Sequence, residues 1–94
     1  MKLIRDKIPE IMKAKGENPK THTANEEEFK HLLTMKLIEE AHEYKLKPSA
    51  EELGDILEVI HAISEQYGGF DKVNELRKKK TAERGNFSKH TVLD

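Results

Sequence analysis

The stretch KLIEEAHEYKLKPSAEELGD, residues 36–55, carries acidic side chains on both sides of a short break that contains a proline. Both sides have the composition of α-helices, and a break as short as residues 45–49 makes two helices antiparallel neighbours. Residues three or four apart share a helix face, so each of the two predicted helices carries a pair of carboxylates on one face. Folding at the break therefore brings four carboxylates close together, those of Glu40, Glu43, Glu52 and Asp55.

A rotation of about 100° per residue relates these carboxylates to the apolar faces of the two predicted helices. The apolar stripe of the first helix runs through Phe29, Leu33, Leu37, Ala41 and Tyr44. The stripe of the second helix runs through Leu53, Ile56, Val59, Ile60, Ile63 and Tyr67. Glu40 and Glu52 fall inside these stripes, Glu43 and Asp55 fall at their edges, and Glu58 points away. The carboxylates are therefore predicted to lie at the boundary of the core.

Two interpretations of this acidic stretch are compatible with its spacing. A buried carboxylate is costly unless it pairs, protonates or binds a metal, and oxygen-only ligation suits Mg²⁺ or Mn²⁺. Glutamate is also a good helix former, and a glutamate-rich helix is most often a solvated face. In addition, Ser49 and Glu52 fit a capping box, which gives Glu52 a local structural role. Spacing alone leaves the choice open.

The composition indicates one small helical domain over residues 1–94. Charged residues make up 37% of the chain and apolar residues 35%, so the chain can bury only a modest core by itself. We therefore expect an all-α antiparallel bundle of about four helices whose core and site are completed by oligomerisation. There is no cysteine and no apolar run of membrane-spanning length, which fits a cytoplasmic protein that does not enter a membrane.

Capping signals outline the four helices. A short extended segment precedes a small helix that Asp6 can cap and that ends at Gly16. Asn25 is a good N-cap for the next helix, which runs to about residue 44. The third and fourth helices are predicted at about residues 50–67 and 71–84, separated by Gly68-Gly69 and followed by Gly85.

The basic residues divide between the two ends of the chain and the acidic stretch itself. They are solvated charges or phosphate contacts, and the candidates for phosphate contact are Lys2, Arg5, Lys7, Lys80 and Arg84. Lys36 lies near Glu40 on the helical wheel, where it could contact phosphate or neutralise the carboxylates. The net charge of −1 makes nucleic acid an unfavoured partner. The five histidines have no zinc-ligand spacing.

Three segments together resemble a known superfamily. The acidic stretch is similar to the Glu-Glu-x-x-Glu and Glu-x-x-Asp signature of the MazG-like all-α nucleoside triphosphate pyrophosphohydrolases, at residues 39–43 and 52–55. The opening KLIRDKIPE and the later KKTAERGNF resemble the small house-cleaning pyrophosphatase branch, which acts on non-standard nucleotides. Two details depart from the pattern: the gap between Glu43 and Glu52 is shorter, and Asn86 replaces a second glycine.

The resemblance implies a function and roles for the residues. Such enzymes cleave nucleoside triphosphates between the α and β phosphates, giving a monophosphate and pyrophosphate, with a site completed in a homodimer or homotetramer. By position, the Mg²⁺ ligands would be Glu40, Glu43, Glu52 and Asp55. The catalytic residues would be Glu40 and Glu39, where Glu39 would either support the ligands without binding the ion or help to orient the attacking water. Two alternatives remain, a phosphoribosyl-ATP pyrophosphohydrolase and a non-catalytic helical interaction module that binds nucleic acid through residues 77–80.

Overall fold

A computed structural model describes all residues, 1–94, and every regular element in it is helical. The α-helices are α1 (Ile8–Ala14), α2 (Glu26–Leu46), α3 (Ala50–Ser64) and α4 (Phe70–Arg84), with a 3₁₀ turn at Glu65–Tyr67. The predicted all-α class with four helices is confirmed. Helix α3 ends three residues before its predicted end at residue 67, because a 3₁₀ turn follows it there. None of these helices is both long and apolar enough to cross a membrane.

The antiparallel pair α2–α3 is the centre of the fold. Each helix starts at a side-chain cap: Asn25 Oδ1 accepts the backbone N–H of Glu28 at 2.9 Å, and Ser49 Oγ accepts that of Glu52 at 3.1 Å. Capping of this kind satisfies backbone donors that no helix turn can reach. The three-residue connection at 47–49 folds α3 back on α2, and Leu33 and Val59 are the two buried apolar residues of the core.

Helix α1 is short and its start differs from the prediction. The expected cap by Asp6 is wrong: Lys7 occupies the N-cap position and no side chain makes a capping hydrogen bond. Pro9 takes its place in the first turn because the first backbone N–H groups of a helix need no partner within it. Gly16 ends the segment at φ +86°, a left-handed conformation that favours glycine, as predicted.

Helix α4 is joined to α3 by a tight turn and buries none of its residues. Gly68 and Gly69 both have positive φ angles, +96° and +98°, so both predicted glycines are used for the reversal. The ring of Phe70 stacks on that of His61 with centroids 3.9 Å apart. This contact fixes the beginning of α4, while the rest of the helix lies on the outside.

The chain by itself is far from compact. Its radius of gyration is 16.8 Å, whereas general scaling gives about 12 Å for a chain of this length. Its accessible surface is 8523 Å², against roughly 5,600 Å² expected for a folded monomer of this mass. Several members of the predicted stripes are exposed rather than buried, namely Phe29, Ala41, Tyr44, Leu53 and Tyr67. The helical period predicts which side of each helix these residues occupy. A single chain, however, has too little other surface to cover them.

Helix α2 is apolar on a second face as well. Met35, Ile38 and Leu46 lie opposite Leu33, and their exposed fractions are 49%, 58% and 68%. Spacings of three and eight residues keep them on one side of the helix. Leu57 on α3 is also exposed, at 51%. We call the three residues of α2 the outer apolar face.

Candidate metal centre

Three carboxylates meet where α2 and α3 pack side by side. Glu40 comes from α2, and Glu52 and Asp55 come from the first turns of α3. One oxygen of each lies within 4.8 Å of the other two, and all three residues are half-buried. We call these residues the acidic group. Oxygen atoms at this separation can be bridged by one hard cation, because such ions take carboxylate oxygens as ligands.

Glu43, the fourth carboxylate of the prediction, lies outside the acidic group. Its side chain is exposed near the end of α2, and it is absent from the set of oxygens that share a 4.8 Å separation. It is still close enough to act on its neighbours, since its charge contributes to the raised pKa of Glu52. The structure thus brings three of the four predicted ligands together and leaves Glu43 at their edge.

The electrostatics of the acidic group are concentrated on Glu52. Desolvation is the main cause that raises the pKa of the Glu52 carboxyl above its ordinary value, followed by repulsion from Asp55, Glu40, Glu43 and Glu51. Both effects disfavour the charged form. The Ser49 hydroxyl binds the backbone of Glu52, and the Glu52 side chain makes no return bond to the cap. The carboxylate is therefore free to face the other two.

This raised pKa predicts a measurable pH dependence of stability. Because the folded state binds a proton at Glu52 more readily than the unfolded state, the free energy of unfolding falls as pH rises from the ordinary glutamate pKa through the raised pKa. In chelator, Glu52→Gln should therefore melt above wild type at neutral pH and lose this advantage below the ordinary glutamate pKa. Thermal denaturation followed by circular dichroism across pH measures this.

The matched control for that experiment is Glu75→Gln on the exposed side of α4, which should melt like wild type at every pH. A lower melting temperature for Glu52→Gln at neutral pH would contradict the repulsion at the acidic group. A higher melting temperature of Glu52→Gln that persists below the ordinary glutamate pKa would also contradict it.

Cations from two parts of the chain surround the acidic group. Lys36 Nζ lies 3.5 Å from Glu39 and 3.6 Å from Glu40, and the side chains of Lys36 and Glu40 are only 18% and 14% exposed. The sequence is compatible with two roles for Lys36, phosphate contact and neutralisation of carboxylates. In the structure it lies within ion-pair distance of Glu39 and Glu40. Arg5 donates to Asp55 Oδ1 at 2.9 Å. Both partners of this pair are about half exposed, so it contributes little stability.

The N-terminal segment reaches the site through this arginine and through Lys2. The ammonium of Lys2 lies 3.8 Å from Glu39, at the edge of ion-pair range. The predicted basic residue Lys7 stays apart: it is exposed at the start of α1 and forms no ion pair with the acidic group. Lys80 and Arg84 are exposed on α4 and likewise make no contact with it. Three of the six predicted phosphate contacts therefore surround the site within one chain, Lys2, Arg5 and Lys36.

Two cavities are lined by Glu40 and Asp55 of the acidic group, and Glu52 lines neither of them. The first, of about 410 Å³, has an apolar wall that includes Phe29, Leu33 and Val59. The second, of about 690 Å³, is bordered by Lys2 and by Lys20. Neither the position of Lys20 nor the cavities could be predicted from the sequence, because the loop at residues 17–25 carries no periodic signal. Glu58 is exposed as predicted. It also borders the first cavity together with Asp55, so a substitution of Glu58 is not a suitable control that should leave the site unchanged.

Comparison with known proteins adds no relative to this picture: no family model, no curated protein and no solved structure matches the chain.

Proposed function

We propose that this protein is a Mg²⁺-dependent nucleoside triphosphate pyrophosphohydrolase that releases pyrophosphate and a nucleoside monophosphate. The observation that carries the proposal is the acidic group, three carboxylates from two helices within 4.8 Å of one another, flanked by cations and by cavities. The resemblance of three segments in order to the house-cleaning branch of the MazG-like enzymes supports the same reaction.

The residues present fit a magnesium ion. The donors are carboxylate oxygens only, which suits Mg²⁺ or Mn²⁺ rather than zinc. Glu40, Glu52 and Asp55 would hold the ion, and Glu43 would join them by a change of its exposed side chain. The repulsion that raises the pKa of Glu52 is the type of charge accumulation that a cation relieves. When bound, such an ion screens the phosphate charge and lowers the pKa of a bound water.

The chain's own residues supply the remaining requirements for hydrolysis. The oxygen of a water bonds to the α phosphorus, the bond from that phosphorus to the bridging oxygen breaks, and the electron pair leaves with pyrophosphate. A proton of the water passes to a carboxylate, for which Glu39 is the candidate because Lys2 and Lys36 hold it beside the acidic group. Arg5 and Lys36 lie where they can stabilise negative charge on the phosphates.

The test is pyrophosphate release from a panel of standard and damaged nucleoside triphosphates and from phosphoribosyl-ATP, with and without Mg²⁺. Mg²⁺-dependent release from the triphosphates supports the proposal, and release from phosphoribosyl-ATP alone assigns the enzyme to that substrate instead. No release from any of them, together with salt-sensitive nucleic-acid binding, would favour the helical interaction module.

We further propose that the protein works as a homo-oligomer, a homodimer or homotetramer. The accessible surface exceeds the expected monomer value by roughly 2,900 Å², and a standard interface removes only about 800 Å² per partner. The outer apolar face gives this excess a location, because three exposed large apolar residues lie on one side of α2. Patches of this kind mark protein interfaces. A second copy is also what could bring Lys80 and Arg84 to an acidic group that they do not reach within one chain.

Charge placed on this face should separate the copies. We expect wild type to sediment above the 10.9 kDa monomer mass, and Ile38→Glu to shift it towards that mass because a carboxylate would be buried unpaired in the interface. Analytical ultracentrifugation measures the mass, and Lys78→Glu on exposed α4 is the control that should sediment like wild type. Monomeric wild type at every concentration would refute self-association.

A further inference from the structure

The two cavities beside the acidic group share one boundary. Ile4, Arg5, Lys36, Glu40 and Asp55 line both of them. Two of these five residues, Glu40 and Asp55, belong to the acidic group, and Glu52 lines neither cavity. A molecule that occupies both cavities must therefore pass beside the Glu40 and Asp55 carboxylates. The cavities differ in every other lining residue, and that difference gives the site a direction.

The first cavity is apolar and acidic. Residues that line it alone include Leu3, Phe29, Leu33, Val59 and Ala62, and the charged ones among them are the carboxylates Asp6 and Glu58. Its volume of about 410 Å³ is in the range of small-molecule sites, which are mostly apolar with a few polar groups. Phe29 is 39% exposed, so part of its ring remains available for a flat ligand. We call this the apolar cavity.

The second cavity has the opposite charge. The charged residues that line it alone are Lys2 and Lys20, which join Arg5 and Lys36 at the shared boundary. Lys20 is exposed and forms no ion pair, whereas the other three cations each contact a carboxylate. A lysine whose charge is not offset by a neighbouring carboxylate attracts an incoming anion more strongly than a paired lysine does. We call this the cationic cavity.

We propose that the nucleotide binds with its nucleoside in the apolar cavity and its β and γ phosphates in the cationic cavity, where Lys20 contacts the leaving pyrophosphate. This inference rests on the proposed function. The α phosphate then lies over the acidic group, where the bond to be cleaved begins. The reverse orientation would place the phosphates against Asp6 and Glu58, which repel them, and the base against lysines.

The orientation is tested by direct binding of the two products to separate variants. Isothermal titration calorimetry in Mg²⁺ measures the affinity of inorganic pyrophosphate and of the tightest-binding of the four standard deoxynucleoside monophosphates. Lys20→Ala should lower the affinity for pyrophosphate roughly twofold to fivefold, as loss of one exposed charge pair would, and leave the affinity for the monophosphate unchanged. Phe29→Ala should lower the affinity for the monophosphate roughly tenfold, because stacking on the base is lost, and leave the affinity for pyrophosphate unchanged.

Matched controls separate these effects from folding and from surface charge. Lys78→Ala removes an exposed lysine of α4, and Phe87→Ala removes a phenylalanine that is 96% exposed; both should bind like wild type. Phe29→Leu keeps an apolar side chain without the aromatic ring, so it tests stacking if Phe29→Ala melts at a lower temperature.

The outcomes separate a failure of the proposed orientation from a failure of the proposed function. The proposed orientation would be wrong if Lys20→Ala loses affinity for the monophosphate. It would also be wrong if both variants bind both products like wild type. In either case the wild type would still hydrolyse nucleotides. Wild type that neither binds a product nor releases pyrophosphate would overturn both.

Discussion

Glu40→Gln should abolish Mg²⁺-dependent pyrophosphate release and leave the helices intact. Glu40 supplies an oxygen to the acidic group, and its side chain is only 14% exposed, so no solvent-exposed carboxylate can replace it in that position. Mutation of a group that hydrogen-bonds a metal ligand typically lowers metal affinity or activity about 10- to 100-fold. We therefore expect loss of a direct ligand to lower the rate more than about 100-fold. The measurement is the rate of pyrophosphate release at saturating Mg²⁺, beside the circular dichroism spectrum.

The glutamine has the same shape as the glutamate and removes one of the mutually repelling charges, which is why the fold should survive. Lys36 keeps a partner in Glu39, at 3.5 Å. Glu75→Gln is the matched control, with the same chemical change on an exposed face of α4, and it should hydrolyse like wild type. Full activity of Glu40→Gln would remove the metal-centre assignment.

Asp55→Asn should lose hydrolysis as completely and have a second effect that Glu40→Gln lacks. Asp55 is both a member of the acidic group and the partner of Arg5, whose guanidinium lies 2.9 Å from its carboxylate. Losing the ligand should reduce the rate more than about 100-fold, by the same reasoning. Losing the charge should also loosen the N-terminal segment slightly, because Arg5 joins it to α3 across 50 residues of sequence through a half-exposed pair of small energy.

Limited proteolysis in chelator measures this second effect. Cleavage near Arg5 should be faster in Asp55→Asn than in wild type, and Glu40→Gln should be cleaved at the wild-type rate because it leaves the Arg5–Asp55 pair in place. Equal cleavage of all three proteins would show that the pair does not hold the segment. Retained hydrolysis in Asp55→Asn would remove it from the metal site, whatever the proteolysis shows.

The helices and the pairing of α2 with α3 could be predicted from the sequence because both depend on interactions between residues close along the chain. The caps at Asn25 and Ser49 and the glycines at 68–69 each act within four residues, so they fix helix ends without reference to the rest of the fold. The short connection at 47–49 leaves α3 little choice except to fold back on α2. Glu40, Glu52 and Asp55 meet as a consequence of that one turn.

Contacts between distant segments depended on the tertiary structure. Arg5 contacts Asp55, and Lys20 lines a cavity that Glu40 and Asp55 also line. Both positions depend on the path of the N-terminal segment and of an irregular loop, which no periodicity encodes. Exposure of Glu43 follows from the geometry of side chains near the end of α2. Burial of an apolar stripe requires a surface to cover it, and a single chain leaves Tyr44 and Leu53 exposed. Helical phase is a local property, whereas the partner of a face is set by long-range packing.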